Sequence, residues 1–350
     1  MQKDMLAAYT VDNRQMELRR IPVPQPGPGE LLIRIRHVGV CGSDLHAFIA
    51  EGARYKALPQ GGFILGHEGA GEVVALGEGV QGFAVGDKVA LEPGSTCGKC
   101  AFCKRGLYNL CPDVQFLSVC GQRDGVLREY ACHPADLCFK LPEHMDTLQG
   151  ALIEPVAVGM HAASLSGAGL GMDAVIFGSG CIGLMTLLAL KARGVGRVAV
   201  CDVANIRLQK AKELGAALTI NSAREDAVAA ILDFTAGRGA DVVFDASGNP
   251  AAIGLTQRVA KSAGTIVLVG NPSGAMPDSF DLQDFVNREL TLRGVFRYRN
   301  IYPTAIAAVA AGILPVQKVA DRIYPFAQTQ QAFDESIDNK AAIVKAVIAL

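Results

Sequence analysis

The chain has 350 residues, half of them apolar, and a net charge of -1 at pH 7, enough to bury a large core and to form two domains. So balanced a charge gives no electrostatic reason to expect nucleic acid or an anionic membrane as partner. The apolar stretches are broken by charges and glycines well short of a membrane span, and MQKDMLAAYT at the N-terminus has no signal-peptide core, so a cytoplasmic location is expected.

In chain order, Pro22, Pro24, Pro26 and Pro28 predict an extended lead-in rather than a helix. Leu31 to Val40 alternates apolar and charged residues, as a strand with one wet face should. At its end, Val40-Cys41-Gly42-Ser43-Asp44-Leu45-His46 offers a thiolate with a hydroxyl and an imidazole close behind. Leu65-Gly66-His67-Glu68-Gly69 places an imidazole and a carboxylate between glycines. Gly71 to Leu76 reads as another strand, and the turn Phe83 to Asp87 feeds a third at Lys88 to Leu91. Residues 1 to about 150 therefore read as a compact β domain with loop insertions.

Ten cysteines without a secretory signal argue against a disulfide framework. Four of them, Cys97, Cys100, Cys103 and Cys111, fall within fifteen residues. Four thiolates and no fifth ligand describe a closed structural zinc site, with an iron–sulfur cluster or unmetallated thiols as the alternatives. Leu152-Ile153-Glu154-Pro155-Val156 then sets a lone carboxylate in an apolar run, a costly placement unless it is paired or bound to a metal.

From about residue 156 strands and helices alternate. Ala174 to Asp202 reads AVIFGSGCIGLMTLLALKARGVGRVAVCD: strand, glycine turn, helix, strand, acid. Gly178 permits the tight turn, Gly180 lets a pyrophosphate approach the backbone, and Gly183 lets the helix lie on the sheet. The helix N-terminus receives the phosphate charge. Asp202 stands where a carboxylate accepts from an adenosine ribose, and its charge favours NAD over NADP. Further strands are expected near Ala217 to Ile220, Ala240 to Asp245, Thr265 to Gly270 and Leu290 to Phe296. Helices are expected at Ile206 to Leu214, Ala227 to Thr235 and Pro250 to Lys261. This succession predicts a doubly wound parallel sheet. Beyond about 297, helices at Thr304 to Ala311 and Thr329 to Asp338 and a strand at Val344 to Ile348 are expected to return to the first domain.

Taken singly, Cys41 reads as a small buried apolar residue, His67 as a structural histidine and Glu68 as a helix start or a surface charge. Together, Gly66-His67-Glu68-Gly69-x-Gly71-x-Val73, with Cys41-Gly42-Ser43-Asp44 ahead of it and the four cysteines after it, resemble the zinc-dependent medium-chain alcohol dehydrogenase superfamily over essentially the whole chain. Tyr108-Asn109-Leu110, Lys140-Leu141-Pro142, Gly150 to Val156 and Gly294-Val295-Phe296-Arg297-Tyr298 are similar to its sorbitol (polyol) dehydrogenase group. Glu154 takes the place of the third-ligand cysteine of liver-type enzymes.

The resemblance implies a GroES-like β-barrel catalytic domain of residues 1–155 with 297–350, and a Rossmann NAD-binding domain of residues 156–296. It implies a catalytic zinc held by Cys41, His67 and Glu68, with Glu154 binding the metal or holding its water; which glutamate ligates stays open. Replacing a thiolate by carboxylate or water leaves the ion harder, which suits a substrate with several hydroxyls. Ser43 resembles the family's proton-relay hydroxyl, and His46 has either an orienting or relay duty or is a plain polar loop residue. Arg297 and Tyr298 resemble the substrate-cleft pair, near the expected crevice of the sheet, and Phe116 is a further cleft candidate. Ala47 departs from the group, which often has an aromatic residue there, so a wider pocket is expected.

The implied activity is NAD-linked oxidation of a polyol's secondary hydroxyl to a ketose. A sugar acid, a sugar-alcohol phosphate or L-threonine is the alternative substrate. A silent nucleotide-binding sensor, a lens-type structural protein and a zinc-free quinone reductase are disfavoured, because the expected metal positions are all present. Family habit implies a homodimer or homotetramer.

Overall fold

The structure, a computed structural model, describes residues 3–49, 58–272 and 280–350. The chain divides into two units. The first comprises Met1–Glu154, Tyr302–Gly312 and Ala320–Leu350, and the second comprises Pro155–Ile301 and Ile313–Val319.

The first unit is built on the strand Glu30–Gly39, whose sequence ELLIRIRHVG buries Leu31, Ile33 and Ile35 on one side. It pairs antiparallel with Glu68–Leu76, Tyr130–Pro134 and Ala346–Ala349. The last of these is the expected return strand, with Ile348 opposite Val38. Phe48 and Phe333 meet edge-on at 5.2 Å in the core beneath this sheet. A fully buried side chain of that kind is worth roughly 2 kcal/mol. An N-terminal hairpin of Asp4–Asp12 and Gln15–Pro22 was not among the expected strands. Its turn puts Arg14 at φ 53, without the glycine that would signal it.

Among the described residues, the second unit holds a six-stranded parallel sheet. From one edge to the other its strands are Leu218–Asn221, Arg197–Asp202, Asp173–Phe177, Ala240–Asp245, Ala260–Leu268 and Thr291–Gly294. That is order 3-2-1-4-5-6 in sequence, the doubly wound arrangement expected of the chain. The helix Ile153–Ser166 was missed by pattern. Its sequence IEPVAVGMHAASLS is apolar nearly all round, so it shows no stripe to read. The reason lies in its packing: a Cβ on Gly159 would come within 2.6 Å of the Met185 backbone, so two helices touch there through glycine. No helix among the described residues is long and apolar enough to cross a membrane.

Candidate metal centres and dinucleotide turn

Among the described residues, two groups of side chains in the first unit have metal-ligand chemistry. In the first, Cys97, Cys100, Cys103 and Cys111 bring four sulfurs within 4.8 Å of one another. Cys97 Sγ lies 3.5 Å from Cys111 Sγ and 4.0 Å from Cys103 Sγ. A tetrahedral zinc with 2.3 Å bonds needs sulfurs about 3.8 Å apart, so one ion fits. A cluster of several irons would need them farther apart. The backbone folds around the sulfurs: the N–H groups of Cys97, Cys100 and Cys103 donate to Cys111, Cys97 and Cys100 respectively, at 3.4 to 3.5 Å. Donors from Lys99 and Cys100 pull the Cys97 thiol down to about 7, while burial pushes Cys111 up to about 11. Tyr108 in the same lobe donates to Glu92 at 2.8 Å, tying it to the sheet.

The second group is Cys41, His67 and Glu68, again with ligand atoms within 4.8 Å of one another. Cys41 lies two residues beyond the strand Glu30–Gly39 and caps the helix Gly42–Phe48. Gly66, at φ 92, turns His67 inward, and a Cβ there would press within 3 Å of Val38 and Leu127. His67 and Glu68 are 5 % and 1 % exposed, so this is a desolvated site.

Asp44, which the sequence reading did not single out, organises the centre. Its Oδ1 accepts from Ser118 Oγ at 2.5 Å, His67 Nδ1 at 3.2 Å and Gly66 N at 3.4 Å, and Oδ2 accepts from Cys41 N at 3.2 Å. Fixing Nδ1 as the donor leaves Nε2 as the lone-pair nitrogen, the form a metal takes. Burial opposes charge on His67, yet Asp44 and Cys41 outweigh it and raise its pKa well above 6.5. Burial likewise opposes charge on Asp44, but His67 and Ser118 hold its pKa below the ordinary value. A thiol, an imidazole and a carboxylate with ligand atoms this close together suit a divalent cation. A signal for Asp44 existed: an acid at the third position of a helix, beside a candidate ligand, is placed to cap and to orient.

Glu154 falls outside this group of three. It lies in the first turn of the helix Ile153–Ser166, 6 % exposed, whereas Glu68 directly follows His67 in the chain. Ser43 and His46 are both exposed on the helix Gly42–Phe48. Phe116, 8 % exposed, packs its ring 5.5 Å from that of His67. Ala47 is buried in the apolar core.

In the second unit, the turn Gly178–Gly180 links the strand Asp173–Phe177 to the helix Cys181–Ala192. Gly178 has φ 97, and a Cβ on Gly183 would overlap the Gly178 carbonyl. In front of Gly180 there is open space, the first atom being Arg207 Nη1 at 3.8 Å from where a Cβ would lie. The cradle therefore fits a pyrophosphate, with a cation beside it that the sequence reading passed over. Both oxygens of Asp202 accept backbone N–H groups, from Ser179 at 2.7 Å and Ala204 at 2.9 Å. The strand Thr291–Gly294 precedes Arg297, which takes φ 55 with its guanidinium 4.7 Å from the Phe296 ring, and Tyr298, 3 % exposed. Left-handed backbone at a bulky residue marks a strained, positioned segment. His161 in this unit lies 3.5 Å from Arg299, and burial and that cation push its pKa down to about 4.

Residues 27–143 match the alcohol dehydrogenase GroES-like domain, and residues 181–311 match the zinc-binding dehydrogenase domain. An uncharacterized zinc-type alcohol dehydrogenase-like protein of Escherichia coli (strain K12) is 43% identical over 333 residues, 95% of each chain. The sorbitol dehydrogenase of Bacillus subtilis (strain 168) is 38% identical over 347 residues, 99% of this chain and 97% of that one. Among solved structures, an Escherichia coli oxidoreductase/dehydrogenase of unknown specificity involved in membrane biogenesis superposes with TM-score 0.95 at 41% identity, covering 99% of both chains.

Proposed function

Because the chain belongs to the zinc-dependent medium-chain alcohol dehydrogenase superfamily, near the sorbitol dehydrogenases, we propose that it oxidises a secondary hydroxyl of a polyol-like small molecule to a ketose with NAD. The observation that carries this reading is the buried trio Cys41, His67 and Glu68 with its imidazole fixed by Asp44. Four cysteines make a closed site, whereas three mixed ligands leave a coordination position for substrate oxygen. When bound, zinc supplies Lewis acidity toward the alcohol oxygen, and the nicotinamide supplies the hydride acceptor.

The chain's own residues do the rest. Exposed Ser43 and His46 carry the hydroxyl proton outward. Glu154 holds a water near the metal, its alternative role as a ligand yielding to Glu68 on proximity. Phe116 walls the metal side against the carbon chain, and Arg297 and Tyr298 donate to substrate hydroxyls. Asp202 selects NAD, since its fixed carboxylate meets a 2′-phosphate with like charge. Cys97, Cys100, Cys103 and Cys111 hold the second, structural zinc. All ten cysteines are free, in keeping with a reducing cytoplasm. The edge strand Thr291–Gly294 is exposed throughout, with Leu282 and Val286 uncovered nearby, which supports pairing of two copies in a homodimer or homotetramer.

The test is a steady-state panel of polyols, sugar acids, sugar-alcohol phosphates and L-threonine with NAD and NADP, alongside zinc analysis. The expected result is the highest kcat/KM for a polyol with NAD, at two zincs per chain. A preference for an anionic substrate or for NADP overturns the finer assignment, and no turnover with zinc at the cysteines alone favours a silent nucleotide-binding protein.

A further inference from the structure

Lys345 lies inside the apolar run AAIVKAVIAL near the chain's end, and its side chain is 2 % exposed. Val347 pairs with Gly39, and Asp321 holds the backbone of Val344 and Lys345 through two N–H groups at 3.0 Å each. This anchoring delivers the ammonium to the metal site. Nζ donates to the Val40 carbonyl at 2.9 Å and to Glu68 Oε1 at 2.6 Å, and also contacts Glu68 Oε2. A Cβ on Gly39 would overlap Glu68 Oε2 and come within 3.0 Å of Lys345 Cε. The backbone is therefore cleared for this one pair.

A buried ammonium is costly where an apolar side chain of the same length would pack freely, so its retention calls for a use. The same carboxylate offers an oxygen within 4.8 Å of the Cys41 and His67 ligand atoms. Two cations thus share one anion. We propose that Lys345 is a positioning residue that competes with the metal for Glu68. It holds the carboxylate in place before the ion arrives, and afterwards weakens Glu68 as a donor, leaving the ion more demanding of substrate oxygen. This rests on the reading of Cys41, His67 and Glu68 as a metal site.

The test compares Lys345→Met, which keeps length without charge, and Lys345→Arg, which keeps charge. Zinc affinity is measured in the full chain at pH 8 by competition with a chromophoric chelator while the four cysteines stay loaded, and the visible bands of the cobalt-substituted site are recorded. Removing a neighbouring cation should tighten zinc at least about tenfold in K345M and shift the cobalt bands, K345R should match the wild type, and E68Q added to K345M should abolish the gain. Unchanged or weaker zinc binding in K345M overturns the proposal, since Lys345 would then only brace a ligand. If K345M does not fold, K345M with E68Q should, because no buried carboxylate is left unpaired; failure of that rescue also overturns it. A wild type that binds zinc at the cysteines alone overturns this proposal and the functional reading together, whereas unchanged affinity in K345M overturns this one alone.

Discussion

The two metal-capable groups of the first unit are built in opposite ways. The cysteine lobe draws all its ligands from residues 97 to 111, takes the backbone hydrogen bonds to its sulfurs from that same stretch, and leaves three of the four cysteines partly exposed. The Cys41 centre draws its ligands and their supports from residues 41, 44, 67, 68, 118 and 345, all but Cys41 buried. A closed site of soft, identical ligands fastens a loop. An open site of mixed ligands with separate supports for each tunes an ion for chemistry. The difference teaches that a local cluster can be structural on its own, whereas reactivity needs a shell that only the folded sheet assembles.

The sharpest way to break this comparison is to remove a ligand from each group. Cys41→Ala or His67→Ala should lower kcat/KM at least roughly a thousandfold, because Lewis-acid stabilisation is worth several kcal/mol. Bound zinc should fall from two to one per chain with the fold intact, which metal analysis and circular dichroism check. Cys100→Ser should do the reverse: stability drops by on the order of 4 kcal/mol or more, as for loss of a structural metal. Denaturant titration and proteolysis within residues 97–111 read it out. If the two variants gave the same phenotype, the distinction between the sites would be lost.

A subtler probe is Asp44→Asn, which leaves every ligand in place. Zinc affinity of the Cys41 centre should weaken about 10- to 100-fold, measured by chelator competition, while the cysteine site is unaffected. The last probe concerns the link between the cysteine lobe and the sheet. His133, 1 % exposed, has Nε2 at 2.9 Å from the Glu92 carbonyl, and burial pushes its pKa down to about 3. The unfolded chain binds that proton near 6.5, so the folded state has full stability above pH 6.5 and loses it as pH falls toward 3. His133→Gln should flatten this slope by up to about 1.4 kcal/mol per pH unit. Denaturant midpoints between pH 4 and 7 would show it.

Much of this was legible in the chain. The glycines at 178, 180 and 183, Asp202 and the four cysteines could be read because each motif is contiguous and its spacing is itself the geometry. The parallel sheet followed from alternation of strand and helix patterns, with Ala240–Asp245 found at the expected bounds, as Lys88–Leu91 was in the antiparallel sheet of the first unit. The helix Ile153–Ser166 escaped because burial on all sides erases periodicity. Lys345 escaped as well, although a lone charge in an apolar run was the signal by which Glu154 had been noticed.

By itself, then, the sequence determined the order of the parts, the glycine turn between strand and helix, the cluster of four cysteines and the identity of the ligand candidates, because propensity and spacing act over a few residues. Tertiary structure alone decided which carboxylate joins Cys41 and His67, which acid orients the imidazole, and which cation faces Glu68. Glu68 and Lys345 are 277 positions apart, and only the pairing of the final strand with the central one brings them together as buried side chains, where a charge must find its counterpart.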